Sequence, residues 1–130
     1  MPTYLLDSNI LIAFAIDTHA DHRRCVEWIT SHSAFATCPI TEGSLTRFVL
    51  RNNHPIADSQ ATLQTLAALP NWAFWPDDLS YADANLGSIH GHHQVTDAYL
   101  AALARVHGAK LATMDVGLAV THPDVTTLIP

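Results

Sequence analysis

The sequence has few cysteines, few basic residues and no long apolar run, and each shortage excludes a class of protein. Only 2 of its 130 residues are cysteines, Cys25 and Cys38, too few for a disulfide-rich secreted scaffold and without zinc-finger spacing. Lysine and arginine number 6 against 12 acidic residues, so the net charge of −6 excludes an overall basic nucleic-acid binder. No segment approaches the ~20 apolar residues of a membrane span, and no signal peptide is apparent. We expect reduced cysteines, no membrane association and a cytoplasmic location.

Sequence motifs for nucleotide cofactors and for covalent nucleophiles are also missing. No G-x-G-x-x-G or G-x-x-x-x-G-K-[ST] loop is present, which disfavours the nucleotide-binding folds. No G-x-S-x-G elbow or Cys–His pair points to acyl transfer.

The composition is that of one globular domain, which we expect to span residues 1–130. Hydrophobic residues make up 48 % and charged residues 14 %, enough apolar material for a packed core. Apolar runs predict strands at Tyr4–Leu6, Ala34–Thr37, Trp72–Trp75, Lys110–Thr113 and Val125–Ile129. Helical spacing predicts helices at Ile10–Ile16, Asp21–Ser31, Pro39 to about Asn52, Asp58–Leu69, Leu79–Leu86 and Val95–Val106, with a loop at Ser88–Gln94. Strands that alternate with helices predict an α/β domain with a mainly parallel sheet.

Four acidic residues lie at the ends of predicted strands or the starts of predicted helices. Asp7 follows the first strand, and Glu42 lies in the first turn of the helix after the second. Asp97 lies at the start of the Val95 helix, and Asp115 comes two residues after Thr113. Since ligands of parallel sheets bind at the carboxyl ends of the strands, we expect these side chains to meet at one edge.

Each acid also has a purely structural interpretation. Asp7 could cap a helix, Glu42 and Asp97 could favour a helix dipole at ~0.3–1 kcal/mol each, and Asp115 could lie in a turn. Together, however, converging carboxylates beside apolar stripes repel one another unless a cation or a proton compensates. Oxygen ligands without cysteine or histidine suit Mg²⁺ or Mn²⁺. A metal held in this way predicts hydrolysis of phosphodiester bonds.

Three stretches resemble the PIN-domain family. They are Leu6-Asp7-Ser8-Asn9-Ile10-Leu11, Thr41-Glu42, and Thr96-Asp97-Ala98-Tyr99-Leu100-Ala101-Ala102-Leu103-Ala104 with the following Gly108-Ala109-Lys110-Leu111-Ala112-Thr113-Met114-Asp115. The last stretch is similar to the VapC-type toxins of bacterial toxin–antitoxin pairs. The resemblance covers the whole chain and implies a three-layer α/β/α sandwich and a metal-dependent endoribonuclease.

The resemblance also implies roles for individual residues. The catalytic acidic quartet would be Asp7, Glu42, Asp97 and Asp115. Asp7 and Asp97 match the usual direct metal ligands, with Asp115 and Glu42 completing the site through metal or water; we therefore take Asp7, Asp97 and Asp115 as the metal set. Asn9 and Thr113 match supporting polar positions. Many relatives carry a second acid where this chain has Gly117, which puts a second metal in doubt.

The partners implied by the resemblance are an RNA substrate, a small cognate antitoxin of the VapB type and a second copy of the chain. A catalytically silent binding module with the same fold is the alternative. Arg47 and Arg51, one helical turn apart, could contact RNA phosphates or the antitoxin, or could be solvated surface cations.

Two aromatic or histidine clusters have competing interpretations. His90, His92 and His93 precede the Val95 helix; zinc binding fits no spacing template, so an exposed loop is favoured over one that touches RNA. The aromatic residues Trp72, Phe74 and Trp75 could stack on bases, but core packing is the favoured interpretation.

Overall fold

The centre of the molecule is a parallel sheet. The computed structural model describes residues 2–31 and 34–130, and within them five strands lie in the order β3-β2-β1-β4-β5. All the paired neighbours are parallel. The strands are β1 (Tyr4–Leu6), β2 (Phe35–Thr37), β3 (Trp72–Phe74), β4 (Lys110–Thr113) and β5 (Thr126–Leu128). Their carboxyl ends therefore share one edge, with β1 in the middle.

Helices connect the strands and cover both faces of the sheet. They are α1 (Ser8–Ala15), α2 (His22–Ser31), α3 (Pro39–Arg51), α4 (Ile56–Ala67), α5 (Val95–Val106) and α6 (Val116–Thr121). The five predicted strands and the helices predicted for α1 to α5 are confirmed, with ends that differ by at most two residues. Within residues 2–31 and 34–130, no helix combines the length and apolarity needed to cross a membrane.

Side-chain alternation along the strands divides the core into two halves. Leu5 and Leu111 pack on one face of the sheet with α5 and α6. Leu6 and Ala112, the next residues along the same strands, pack on the opposite face with α1, α2, α3 and α4. Because successive strand residues point to opposite faces, this pattern produces helix, sheet and helix layers. The three-layer α/β/α fold is confirmed.

Two expectations about the second half of the chain are wrong. The segment Leu79–Leu86 is not an α-helix, because only Tyr81–Asp83 forms a single 3₁₀ turn with no buried residue to anchor it. The helix α6 was not predicted, since Gly117 and exposed valines hide its pattern and Leu118 is its one buried side chain. The Ser88–Gln94 loop is confirmed, except that its last three residues form a 3₁₀ turn leading into α5.

Local sequence signals fix the helix ends around the sheet edge. Pro39 occupies the first turn of α3, where its missing N–H costs nothing. Gly108 follows α5 with φ of +62°, a left-handed conformation that glycine adopts without strain. Both cysteines are free and fully buried, with the thiol of Cys25 donating to the Met114 sulfur at 3.7 Å.

Candidate active site

Asp7 is a buried acid at the end of the central strand, only 6 % exposed. Its carboxylate caps α1 by accepting the backbone N–H of Ser8 at 2.8 Å, and its second oxygen accepts the Thr113 hydroxyl at 2.7 Å. Burial raises the pKa of Asp7, while the hydrogen bonds from Thr113 and Ser8 oppose that rise by stabilising the carboxylate. Asp7 is therefore a desolvated acid whose charged form is supported only by these hydrogen bonds.

Thr113 connects three of the predicted site residues. Its oxygen accepts the side-chain amide of Asn9 at 3.2 Å and the backbone N–H of Asp115 at 3.0 Å. The amide oxygen of Asn9 in turn accepts the backbone N–H of Met114 at 3.3 Å. The structure thus places Asn9 and Thr113 in one hydrogen-bonded network with Asp7, across the ends of β1 and β4.

Asp97 lies in the first turn of α5 and is electrostatically connected to two other acids. The pKa of Asp97 is raised to about 6, first by burial and then by the negative charges of Asp7 and Asp115, while His93 lowers it. The charge of Asp115 also raises the pKa of Asp7. Three acids from separate elements are therefore close enough to repel one another.

Glu42 has its own hydrogen-bonded partner at the end of β2. It lies in the first turn of α3, and one carboxylate oxygen accepts the Thr37 hydroxyl at 2.6 Å. The indole N–H of Trp72 donates to the same Thr37 oxygen at 3.2 Å. The structure therefore brings Glu42 to the carboxyl edge of the sheet, where Thr37 contacts it as Thr113 contacts Asp7.

The structural interpretation holds for three of the acids. Asp7 caps α1, and Glu42 and Asp97 lie in the first turns of their helices. The turn expected at Asp115 is wrong, because Asp115 caps α6 by accepting the backbone N–H of Leu118 at 3.2 Å. The positive end of a helix dipole favours a negative charge at each of these positions.

A pocket of about 220 Å³ opens beside Asp97 and Asp115. It lies between the loop before α5 and the helix α6, and its lining includes Ser88, Ile89, His93, Gln94, Leu118, Thr121 and His122. Of the three histidines singled out in the sequence, only His93 reaches this pocket. Its lining is mixed, with apolar side chains such as Ile89 and Leu118 beside the two acids.

The donor set fits a hard divalent cation by its chemistry. The groups that interact electrostatically are carboxylates, and Asp97 and Asp7 both carry raised pKa values that a bound cation would lower. In the described part of the chain, no three His, Cys, Asp or Glu side chains already stand in a metal-holding arrangement.

Half of the basic residues form hydrogen bonds outside the group of acids. Arg105 makes two hydrogen bonds to the Asp124 carboxylate, the shorter at 2.8 Å, and Lys110 donates to the backbone oxygen of Asp124 at 3.0 Å. Arg24 donates to the Ile129 backbone oxygen at 2.7 Å. The other three of the 6 basic residues are exposed: Arg23, Arg47 and Arg51. Arg47 and Arg51 lie on α3, the helix that carries Glu42.

The aromatic cluster near β3 divides between packing and exposure. Trp75 is buried and stacks on His107 with ring centres 3.9 Å apart, so core packing is confirmed for it. Phe74 is 46 % exposed, which core packing did not predict. Trp72 is half-buried, and its indole N–H donates a hydrogen bond to the Thr37 hydroxyl oxygen. The sequence did not predict this hydrogen bond between Trp72 and Thr37. A signal was available, because Ala36-Thr37 and Ala112-Thr113 both end strands that flank β1.

Comparison with known proteins identifies the class. A PIN-domain model matches residues 4–121 of the chain. Over 129 residues the chain is 46 % identical to Ribonuclease VapC29 of Mycobacterium tuberculosis, covering 98 % of this chain and 97 % of that one. The chain therefore belongs to the PIN-domain family, among the VapC ribonucleases.

Solved structures confirm the fold at much lower sequence identity. VapC20 of Mycobacterium tuberculosis, described as a sarcin–ricin loop cleaving toxin, superposes with a TM-score of 0.71 at 13 % identity and covers 98 % of this chain and 99 % of its own. A toxin–antitoxin complex from Klebsiella pneumoniae superposes with a TM-score of 0.72 at 16 % identity, with 98 % of each chain covered.

Proposed function

We propose that this protein is a metal-dependent endoribonuclease toxin, a hydrolase of RNA phosphodiester bonds restrained by a cognate antitoxin. The observation that carries the proposal is the group of three interacting acids, Asp7, Asp97 and Asp115, at the carboxyl edge of the sheet. The 46 % identity to a named ribonuclease supports catalysis over the silent binding module.

The proposed division of roles follows the geometry of the acids. Asp7, Asp97 and Asp115 would hold Mg²⁺, with Mn²⁺ as an alternative. Such a cation, when bound, would supply polarisation of a phosphoryl oxygen and activation of water. Glu42, held by Thr37, would orient the attacking water and accept its proton. Asn9 and Thr113 would keep Asp7 in place through the network at β1 and β4. One metal is proposed, because Gly117 supplies no ligand.

The proposed partners follow from the same surface and from the relatives. RNA would reach the acids from α3, where the exposed Arg47 and Arg51 could contact phosphates. An antitoxin of the VapB type would block this access. The structural similarity to a chain from a toxin–antitoxin complex of Klebsiella pneumoniae supports such a partner. We further propose a homodimer of a single-domain chain that acts in the cytoplasm.

The test is RNA cleavage by the purified protein with Mg²⁺ or Mn²⁺, with EDTA, and with Asp97→Asn. We expect cleavage by the wild type with metal, none in EDTA, and a loss of about 100-fold or more for Asp97→Asn. Asp17→Asn is the matched control, since Asp17 is exposed and remote from the site motifs. Cleavage that survives both EDTA and Asp97→Asn would refute the mechanism.

Calorimetric titration of Mg²⁺ separates the enzyme from a silent binding module. The enzyme should bind Mg²⁺ in the wild type and in Asp17→Asn, but weakly or not at all in Asp97→Asn. A protein that binds an antitoxin yet neither binds Mg²⁺ nor cleaves RNA would be the silent module.

A further inference from the structure

Two threonines end the strands on either side of β1, and each donates its hydroxyl to a site carboxylate. Thr113, the last residue of β4, donates to Asp7 at 2.7 Å. Thr37, the last residue of β2, donates to Glu42 at 2.6 Å. Both threonines are fully buried, so neither hydroxyl has bulk water as an alternative partner. The site is therefore supported symmetrically from the two neighbours of the central strand.

A hydroxyl has one proton, so its direction depends on what its oxygen accepts. The Thr113 oxygen accepts two N–H groups, from Asn9 and from the Asp115 backbone, which leaves its own proton for Asp7. The Thr37 oxygen accepts the indole N–H of Trp72, a group that can only donate. The Thr37 proton is thereby directed toward Glu42.

We propose that Trp72 and Thr37 are positioning residues that fix the carboxylate of Glu42 for catalysis. This inference rests on the proposed function, in which Glu42 orients the attacking water. Neither residue touches the reacting atoms; each acts through Glu42.

The geometry explains why such support is needed. Glu42 has a long side chain on the first turn of α3, where several rotamers are open to it. The 2.6 Å contact has the length of a hydroxyl donating to a carboxylate, a charge-assisted bond stronger than a neutral one. It holds one oxygen of Glu42 and leaves the other to orient water. Without the Trp72 N–H, the Thr37 hydroxyl could rotate and release that oxygen.

Three substitutions separate this role from packing. Thr37→Val removes the hydroxyl at nearly constant volume, and Thr37→Ser retains it. Trp72→Phe removes the N–H and keeps an aromatic ring, with Trp75→Phe as the matched control three residues along the chain. We expect Thr37→Val to lower kcat about 10- to 100-fold, as loss of outer support does. Trp72→Phe should lower kcat about 2- to 10-fold, the effect of one hydrogen bond.

The kinetic pattern distinguishes positioning from general damage. For Thr37→Val and Trp72→Phe we expect an unchanged KM for RNA and a cooperative melting transition, with Thr37→Ser restoring most of kcat and most of any lost stability. Trp75→Phe should keep the wild-type kcat. If Thr37→Val and Trp72→Phe cleave like wild type while Glu42→Gln is inactive, the inference is wrong and the proposed function stands.

An NMR measurement on the metal-free protein tests the contact without activity. The indole N–H signal of Trp72, assigned from its loss in Trp72→Phe, should shift in Thr37→Val and in Glu42→Gln, and remain in place in Thr37→Ser. If the Trp72 indole signal does not shift in Thr37→Val, the inference is wrong. If these shifts occur but neither wild type nor any variant cleaves RNA with metal, the proposed function fails, and with it the catalytic role of the pair.

Discussion

Replacing Asp97 by asparagine should stabilise the metal-free protein at neutral pH, even though it should abolish RNA cleavage. The pKa of Asp97 is raised from 3.8 to about 6 by burial and by the charges of Asp7 and Asp115. At 1.36 kcal/mol per pKa unit, that rise corresponds to an electrostatic destabilisation of the ionised folded state by about 3 kcal/mol. Because Asp97 is only half-buried, solvent screening reduces the figure to roughly 1–2 kcal/mol. The Asp97→Asn variant should be more stable by that amount.

The pH dependence of this difference has a definite sign. Below about pH 4 the carboxyl is protonated in both states, so wild type and Asp97→Asn should unfold alike. Between pH 4 and about 6 the unfolded chain loses this proton before the folded one does, so the free energy of unfolding of the wild type falls as the pH rises. Above about pH 6 both states are ionised, and the advantage of Asp97→Asn should stay constant.

Urea denaturation in EDTA at pH 4, 5, 6 and 7.5 measures this difference, with Asp17→Asn as the control that should follow the wild type. A gain of 1–2 kcal/mol corresponds to a rise in melting temperature of roughly 3–8 °C. Mg²⁺ should then reverse the order, since a concentration one hundred times its dissociation constant stabilises only the wild type, by about 2.7 kcal/mol. If Asp97→Asn is less stable than wild type in EDTA at pH 7.5, the three acids do not repel one another as described.

Three further predictions concern stability away from the acids. Gly108→Ala should lower the free energy of unfolding by about 1 kcal/mol, and Gly108→Asn by less, because the +62° φ strains a Cβ although nothing lies within 4 Å of it. Leu100→Ala, at a fully buried position on α5, should cost about 2–5 kcal/mol, with a smaller loss for Leu100→Met, by urea denaturation. The pKa of Asp124 is lowered to about 2 by the hydrogen bond from Arg105, so its stabilising contribution should be present above pH 4 and lost as the pH falls through about 2. Asp124→Asn should remove that dependence in acid titrations of stability, and an unchanged acid limb would contradict the role of the pair.

The fold was largely predictable from the sequence because its elements have distinct patterns. The central strands are short apolar runs, and α5 combines a buried stripe with Gly108 as its stop signal. The acids could be located because a parallel sheet brings strand ends to one edge, so position in the chain already implies proximity. Helix α6 escaped prediction because only Leu118 anchors it, and a six-residue helix with one buried side chain leaves little periodicity.

The supporting contacts could not be predicted in the same way. The Trp72 N–H reaches Thr37 across two neighbouring strands, a relation set by strand register and rotamers that spacing along the chain does not contain. Likewise, residue type does not indicate which threonine each carboxylate contacts, and packing pairs Glu42 with Thr37 and Asp7 with Thr113.

The distribution of cations has a consequence for how the protein would respond to salt. Binding of RNA releases counterions in proportion to the phosphates that a protein neutralises. With Arg105, Lys110 and Arg24 engaged elsewhere, three exposed arginines remain. A single strand held through three phosphate contacts has a log–log salt slope of about −2, a loss of roughly 20-fold in affinity from 50 to 200 mM salt. A nucleic-acid binder with six to ten such contacts loses ~10³- to 10⁵-fold over that range. This acidic protein should therefore retain RNA at ionic strengths that remove a basic competitor.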